Sequence, residues 1–141
     1  MEEIKADAGG RELGPAAPIL LLVDDDAAVL NSLKFCLEIE GFEVKLYANG
    51  EDLLNEPELP RFGCLVLDYH IRDMTGLELL AKLRSRGVDL PAIMITGHPG
   101  LPLRRYAAAA GVAIVEKPLL GNRLTDAICA ALDTRTCRGP A

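Results

Sequence analysis

No apolar run in the sequence approaches membrane-spanning length, which excludes an ordinary transmembrane helix. An excess of positive charge is also missing. A formal net charge of −6 over 141 residues argues against a bare nucleic-acid binder, which is usually basic. Four cysteines stand at positions 36, 64, 129 and 137, with no CxxC pair and no metal-finger spacing. That pattern points to a reducing compartment, with Cys36, Cys64 and Cys129 expected in the core. The two histidines, His70 and His98, lack the third partner that a zinc or nickel site needs, and both read as exposed loop residues. The opening stretch "MEEIKADAGGRELGPAAP" starts acidic and has no apolar centre, so it does not read as a signal peptide. These absences lead us to expect a soluble, cytoplasmic protein with no membrane or direct nucleic-acid contact.

Half of the residues are hydrophobic, enough for one domain with a substantial core. Residues 1–17 mix Gly, Ala, Pro and charge without period and read as a flexible arm; residues 134–141 read as a flexible tail. Between them, over 18–133, strand-like and helix-like segments alternate. "ILLLV" is a first buried strand, and Asp26 caps a helix with Val29, Leu30, Leu33 and Leu37 inward, stopped by Gly41. "FEVKLYA" is a second strand and "NGEDLLNEP" a short helix. "CLVLD" is a third strand, followed by "GLELLAKLRSRG", a helix with Leu79, Leu80 and Leu83 inward and Gly87 as its stop. "PAIMIT", "LPLRRYAAAAG", "VAIVEKP" and "GNRLTDAICAALD" supply two more strands and two more helices. At least two of Leu101, Leu103 and Tyr106 are expected in the core. Five strands alternating with five helices imply a parallel sheet covered on both faces.

In such sheets ligands bind at the carboxyl ends of the strands. The polar residues there are Asp24 and Asp25, Asp68, Thr96 and Lys117, so the chemistry gathers on one edge. Carboxylates at this density repel one another unless a counter-charge joins them. Oxygen ligands and water suit a hard divalent cation such as Mg2+ or Mn2+. A cation, a lysine and a hydroxyl around an aspartate would stabilise a phosphoryl group on it.

Four motifs in order carry a family likeness: "VDDD" after the first strand, "LVLDYHIRDMTGLELL" around the third, "ITGH" after the fourth and "EKP" after the fifth. Residues 18–133 resemble the receiver domain of bacterial two-component response regulators, close to FixJ-type receivers. The resemblance implies a flavodoxin-like doubly wound sheet of order 2-1-3-4-5, with five helices on both faces. It implies Asp68 as phosphoacceptor, Asp25 as a direct Mg2+ ligand, Asp24 as a ligand through water, and the backbone carbonyl of His70 as a further ligand. It also implies Thr96 as switch hydroxyl and Lys117 as the partner lysine, followed by a cis bond to Pro118. The expected activity is acceptance of phosphate from a sensor histidine kinase or histidine phosphotransfer protein. The chain itself is then no enzyme, although it carries its own phosphorylation and dephosphorylation chemistry.

Several departures bear on that expectation. Ile71-Arg72 stands where the family usually has Met-Pro, removing a proline that stiffens the loop. Ile114 replaces the usual Tyr or Phe, so a switch built on an aromatic rotamer is unavailable. His70 and His98, two places after Asp68 and Thr96, flank the expected path of attacking water and are candidates for modulating phosphate lifetime. A homodimer through the fourth helix, fifth strand and fifth helix is a further expectation. A second reading is a receiver-like docking module that needs no phosphate. A third is a metal-dependent phosphohydrolase resembling haloacid dehalogenases, for which Asp24 and Asp26 have the Asp-x-Asp spacing but the rest of the motif is absent. No output domain of some sixty residues follows residue 133, so the expectation is a single-domain regulator or an excised receiver.

Overall fold

A computed structural model describes residues 18–119 and 122–138, with side chains described as far as Leu132. The elements run β1 (Ile19–Val23), α1 (Ala27–Ile39), β2 (Glu43–Tyr47), α2 (Gly50–Leu54) and β3 (Gly63–Asp68). They continue as α3 (Gly76–Ser85), β4 (Ala92–Thr96), α4 (Leu101–Ala110), β5 (Ala113–Glu116) and α5 (Arg123–Arg138). The strands form one sheet of order 2-1-3-4-5, every neighbouring pair parallel, as the resemblance implied. The arm 1–17 and residues 139–141 lie outside the described residues.

Alternation along the three central strands divides the interior in two, because successive side chains point to opposite faces. Leu21, Val23, Leu65, Leu67, Ala92 and Met94 face α2 and α3, joining Leu53, Leu79, Leu80 and Leu83. Leu20, Leu22, Cys64, Val66, Ile93 and Ile95 face α1 and α5, joining Leu30, Leu37, Leu124, Ile128 and Leu132. A sheet buried on both sides needs apolar residues at every position, which is why these strands read as unbroken hydrophobic runs.

Helix ends follow local chemistry. The Asp26 carboxylate accepts the N–H groups of Ala28 and Val29, starting α1. Gly41, at φ 101°, lets the chain turn left-handed and close that helix, with its own N–H on Glu38 and that of Phe42 on Leu37. Thr75 and Glu78 form a reciprocal capping box at the start of α3.

Three sequence expectations need correction. Cys36 and Cys129 are exposed, and only Cys64 of the expected three is in the core. Each exposed cysteine adjoins an inward residue, Leu37 or Ile128, and one step along a helix turns a side chain about 100° away from it. Of Leu101, Leu103 and Tyr106 only Leu103 is buried. The inward stripe of α4 is Leu103 with Ala107, leaving Leu101 58% and Tyr106 41% exposed. The last helix also continues to Arg138, past the point where the tail was expected to begin, since no Gly or Pro interrupts the sequence before Gly139.

Candidate functional site

β1, β3, β4 and β5 all point their carboxyl ends at the same edge, and each contributes one part of the site. Asp24 follows β1 directly; its N–H donates to the Tyr47 carbonyl at 3.2 Å, extending the pairing with β2 by one residue. One Asp24 oxygen accepts the Asp26 N–H at 3.0 Å. Asp68 closes β3, paired with Ile95, and the next residue, Tyr69, donates its N–H to the Ile95 carbonyl at 2.8 Å. Asp24 and Asp68 are each 5% exposed, while Asp25 is more open. Carboxylate oxygens of Asp24, Asp25 and Asp68 all lie within 4.8 Å of one another.

The opposing charge comes from β5. Lys117 donates its backbone N–H to the Thr96 carbonyl at 2.9 Å, so β4 sets where its side chain starts. Its Nζ lies 3.3 Å from Asp68 Oδ1 and 4.0 Å from Asp24 Oδ2. The Lys117–Pro118 bond is cis. Thr96, 2% exposed, accepts the His98 N–H on its hydroxyl oxygen at 3.3 Å, which leaves the hydroxyl hydrogen free to serve as a donor.

Three carboxylates against one ammonium leave the cluster short of positive charge. Burial pushes the Asp24 carboxyl above the usual carboxylate range; the Asp26 N–H opposes this, the Asp68 charge adds to it, Lys117 opposes it and Asp25 adds again. An acid held partly against its ionisation, beside two more carboxylates, fits a hard divalent cation in both donor type and charge. Asp26 is not one of the clustered acids, because its carboxylate is engaged as the α1 cap. Both histidine rings are at the surface, as expected; that of His70 stands edge-on to Tyr69 with centroids 4.8 Å apart. Ile114 sits half-buried on β5 opposite Met94, packed against the α2–α3 side of the core.

One contributor escaped the sequence reading. Asp73, in the loop after β3, accepts the N–H groups of Gly50 and Glu51 with its two carboxylate oxygens, each at 3.0 Å. Its partners lie 23 and 22 positions upstream, so no local spacing marks it.

A doubly wound sheet of this order, with its charged groups gathered at one carboxyl edge, defines the class as a flavodoxin-like α/β fold. The chain belongs to the response regulator receiver domain family, whose model matches residues 20–129. Among curated relatives it is 34% identical over 125 residues to the response regulator protein TodT of Pseudomonas putida, covering 88% of this chain and 55% of TodT. It is 39% identical over 108 residues to the transcriptional regulatory protein FixJ of Rhizobium meliloti, covering 76% of this chain and 53% of FixJ. The chain thus spans about half the length of the curated relatives it matches. A CheY-like receiver domain from Methanospirillum hungatei superposes with a TM-score of 0.79 at 34% identity, covering 88% of this chain and all of that one. Among the described residues, no helix is long and apolar enough to cross a membrane.

Proposed function

We propose that this receiver domain accepts a phosphoryl group on Asp68 from a phosphohistidine of a sensor histidine kinase or histidine phosphotransfer protein, in the cytoplasm. In the transfer, an Asp68 carboxylate oxygen forms a bond to phosphorus as the P–N bond of the donor breaks, and the released imidazole takes up a proton. The observation that carries the reading is Lys117 Nζ at 3.3 Å from Asp68 Oδ1 within a three-carboxylate cluster whose Asp24 and Asp68 are buried. Asp25, Asp68 and the His70 carbonyl would hold Mg2+, or Mn2+, with Asp24 bound through water. The cation would supply neutralisation of charge developing on the phosphoryl oxygens. Lys117 would exchange Asp68 for a phosphoryl oxygen, and Thr96 would donate its hydroxyl hydrogen to another. Beside Lys117, an apolar depression lined by Val29, Leu33, Pro118 and Leu119 offers an approaching partner a dry contact.

With Ile114 in place of an aromatic ring, output runs through Thr96, the 97–100 loop and α4, whose exposed Leu101 and Tyr106 suit a homodimer through α4, β5 and α5. His70 and His98 stand as modulators of phosphate lifetime. The phosphohydrolase reading loses the second carboxylate of its motif to the α1 cap. The docking-module reading keeps support from Ile114 and Ile71-Arg72. Incubation with acetyl phosphate and Mg2+ should give acid-stable, base-labile label on the wild type and none on Asp68→Asn. Label on Asp68→Asn at the wild-type level overturns the assignment, and an unlabelled wild type leaves the docking module.

A further inference from the structure

We propose that Asp73, outside the cluster of reacting groups, is a positioning residue for it: by clasping the first turn of α2 it holds the loop that carries His70. The proposal rests on reading Asp68 as the cation-assisted phosphoacceptor. Residues 69–76 form a narrow hairpin. The Gly76 N–H donates to the Tyr69 carbonyl at 2.7 Å, that of Ile71 to Met74 at 3.2 Å, and His70 bridges Thr75. The base of this hairpin is fixed by β3 on one side and the α3 capping box on the other. Its tip is not. Arg72 supplies no ring to restrain the backbone, so something else must hold it.

Two contacts with α2 do so. Met74 packs on bare Gly50, where an added Cβ would come within 2.6 Å of its sulfur. Asp73 takes the Gly50 and Glu51 amides with both oxygens, and these N–H groups hold its carboxyl below the usual range, so the clasp is ionised at neutral pH. The helix does not depend on Asp73 for its only cap, since Asn49 accepts the Asp52 N–H at 2.8 Å. Without the clasp the loop keeps Met74 on Gly50 and the buried side chain of Ile71, but no polar tie to α2 among the described residues. His70, three residues from the clasp and two from Asp68, lies between the two anchors, so freeing the tip loosens the backbone that is to offer its carbonyl to the cation.

The test compares wild type, Asp73→Ala, Asp73→Asn and Asn49→Ala, with Mn2+ as the probe and the EPR signal of the free ion as the readout. Asp73→Ala should weaken Mn2+ binding about tenfold, the usual scale for losing a group that orients a ligand. Asp73→Asn, nearly isosteric and keeping one acceptor oxygen, should fall between. Asn49→Ala removes a cap from the same helix and should lower the melting temperature while binding Mn2+ as wild type does. Exchange of amides 69–75 in the cation-free protein should quicken in Asp73→Ala and not in Asn49→Ala. Mn2+ affinity of both Asp73 variants within about twofold of wild type overturns the role. So does an Asn49→Ala loss of affinity equal to that of Asp73→Ala. A wild type that binds no Mn2+ overturns the reading of the site itself, and the role with it, and is told apart because it precedes any substitution.

Discussion

Burying Asp24 beside Asp68 raises the free energy of the cation-free fold, because the charged form loses hydration and meets a like charge. Its folded pKa lies above the unfolded value, so the folded chain binds the extra proton in the window between them. Stability contributed by this group is therefore present at acid pH and lost as pH rises through the folded pKa. Asp24→Asn, which keeps an oxygen for the Asp26 N–H, should stabilise the chelator-treated protein at pH 7, seen as a higher melting temperature. The gain should vanish below pH ~4, where the wild-type carboxyl is itself protonated. Equal gains at both pH values would contradict the account. At this scale the sequence was informative wherever a polar residue ended an apolar strand: Asp24, Asp25, Asp68, Thr96 and Lys117 all arrive at one edge. It was silent on Asp73, whose partners belong to another element, and misleading on Cys36 and Cys129, whose helices bury the adjacent position instead.

Among the elements, α4 is held weakly by its own chemistry. Gly100 gives it no side-chain cap, only Leu103 and Ala107 are buried, and the Arg104–Glu116 pair at 3.7 Å is half-exposed and worth little. Elements with few buried contacts sit at the low-stability end and are the ones that move. Phosphorylation should alter amide exchange between Gly97 and Tyr106 more than in α1, which has a carboxylate cap and the inward pair Leu30 and Leu37. Uniform or absent change would favour the docking module. Element type and order were legible from alternating apolar runs, because a sheet covered on both faces permits little else. Ends were legible where a residue forces them, as at Gly41 and Gly87, both with positive φ. The end of α5 was not, since "TRTC" neither favours a helix strongly nor stops one.

For the molecule as a whole, the proposed site predicts that Mg2+, if it binds the folded state alone, stabilises it by mass action. At about 100 times the dissociation constant the gain is ~2.7 kcal/mol, visible as a rise in melting temperature that Asp25→Ala should abolish. A rise that persists in Asp25→Ala would place the cation elsewhere. Because the sheet separates two apolar clusters with no shared member, it also acts as an energetic partition. Trimming Leu53 on one side and Ile128 on the other, as Leu53→Ala and Ile128→Val, should give losses that add to within about 0.5 kcal/mol, as expected of sites without common partners. A coupling energy well above that would mean strain crosses the strands. Independence instead means that either side can be rebuilt for a new partner while the strand ends, and the charges they carry, stay where they are.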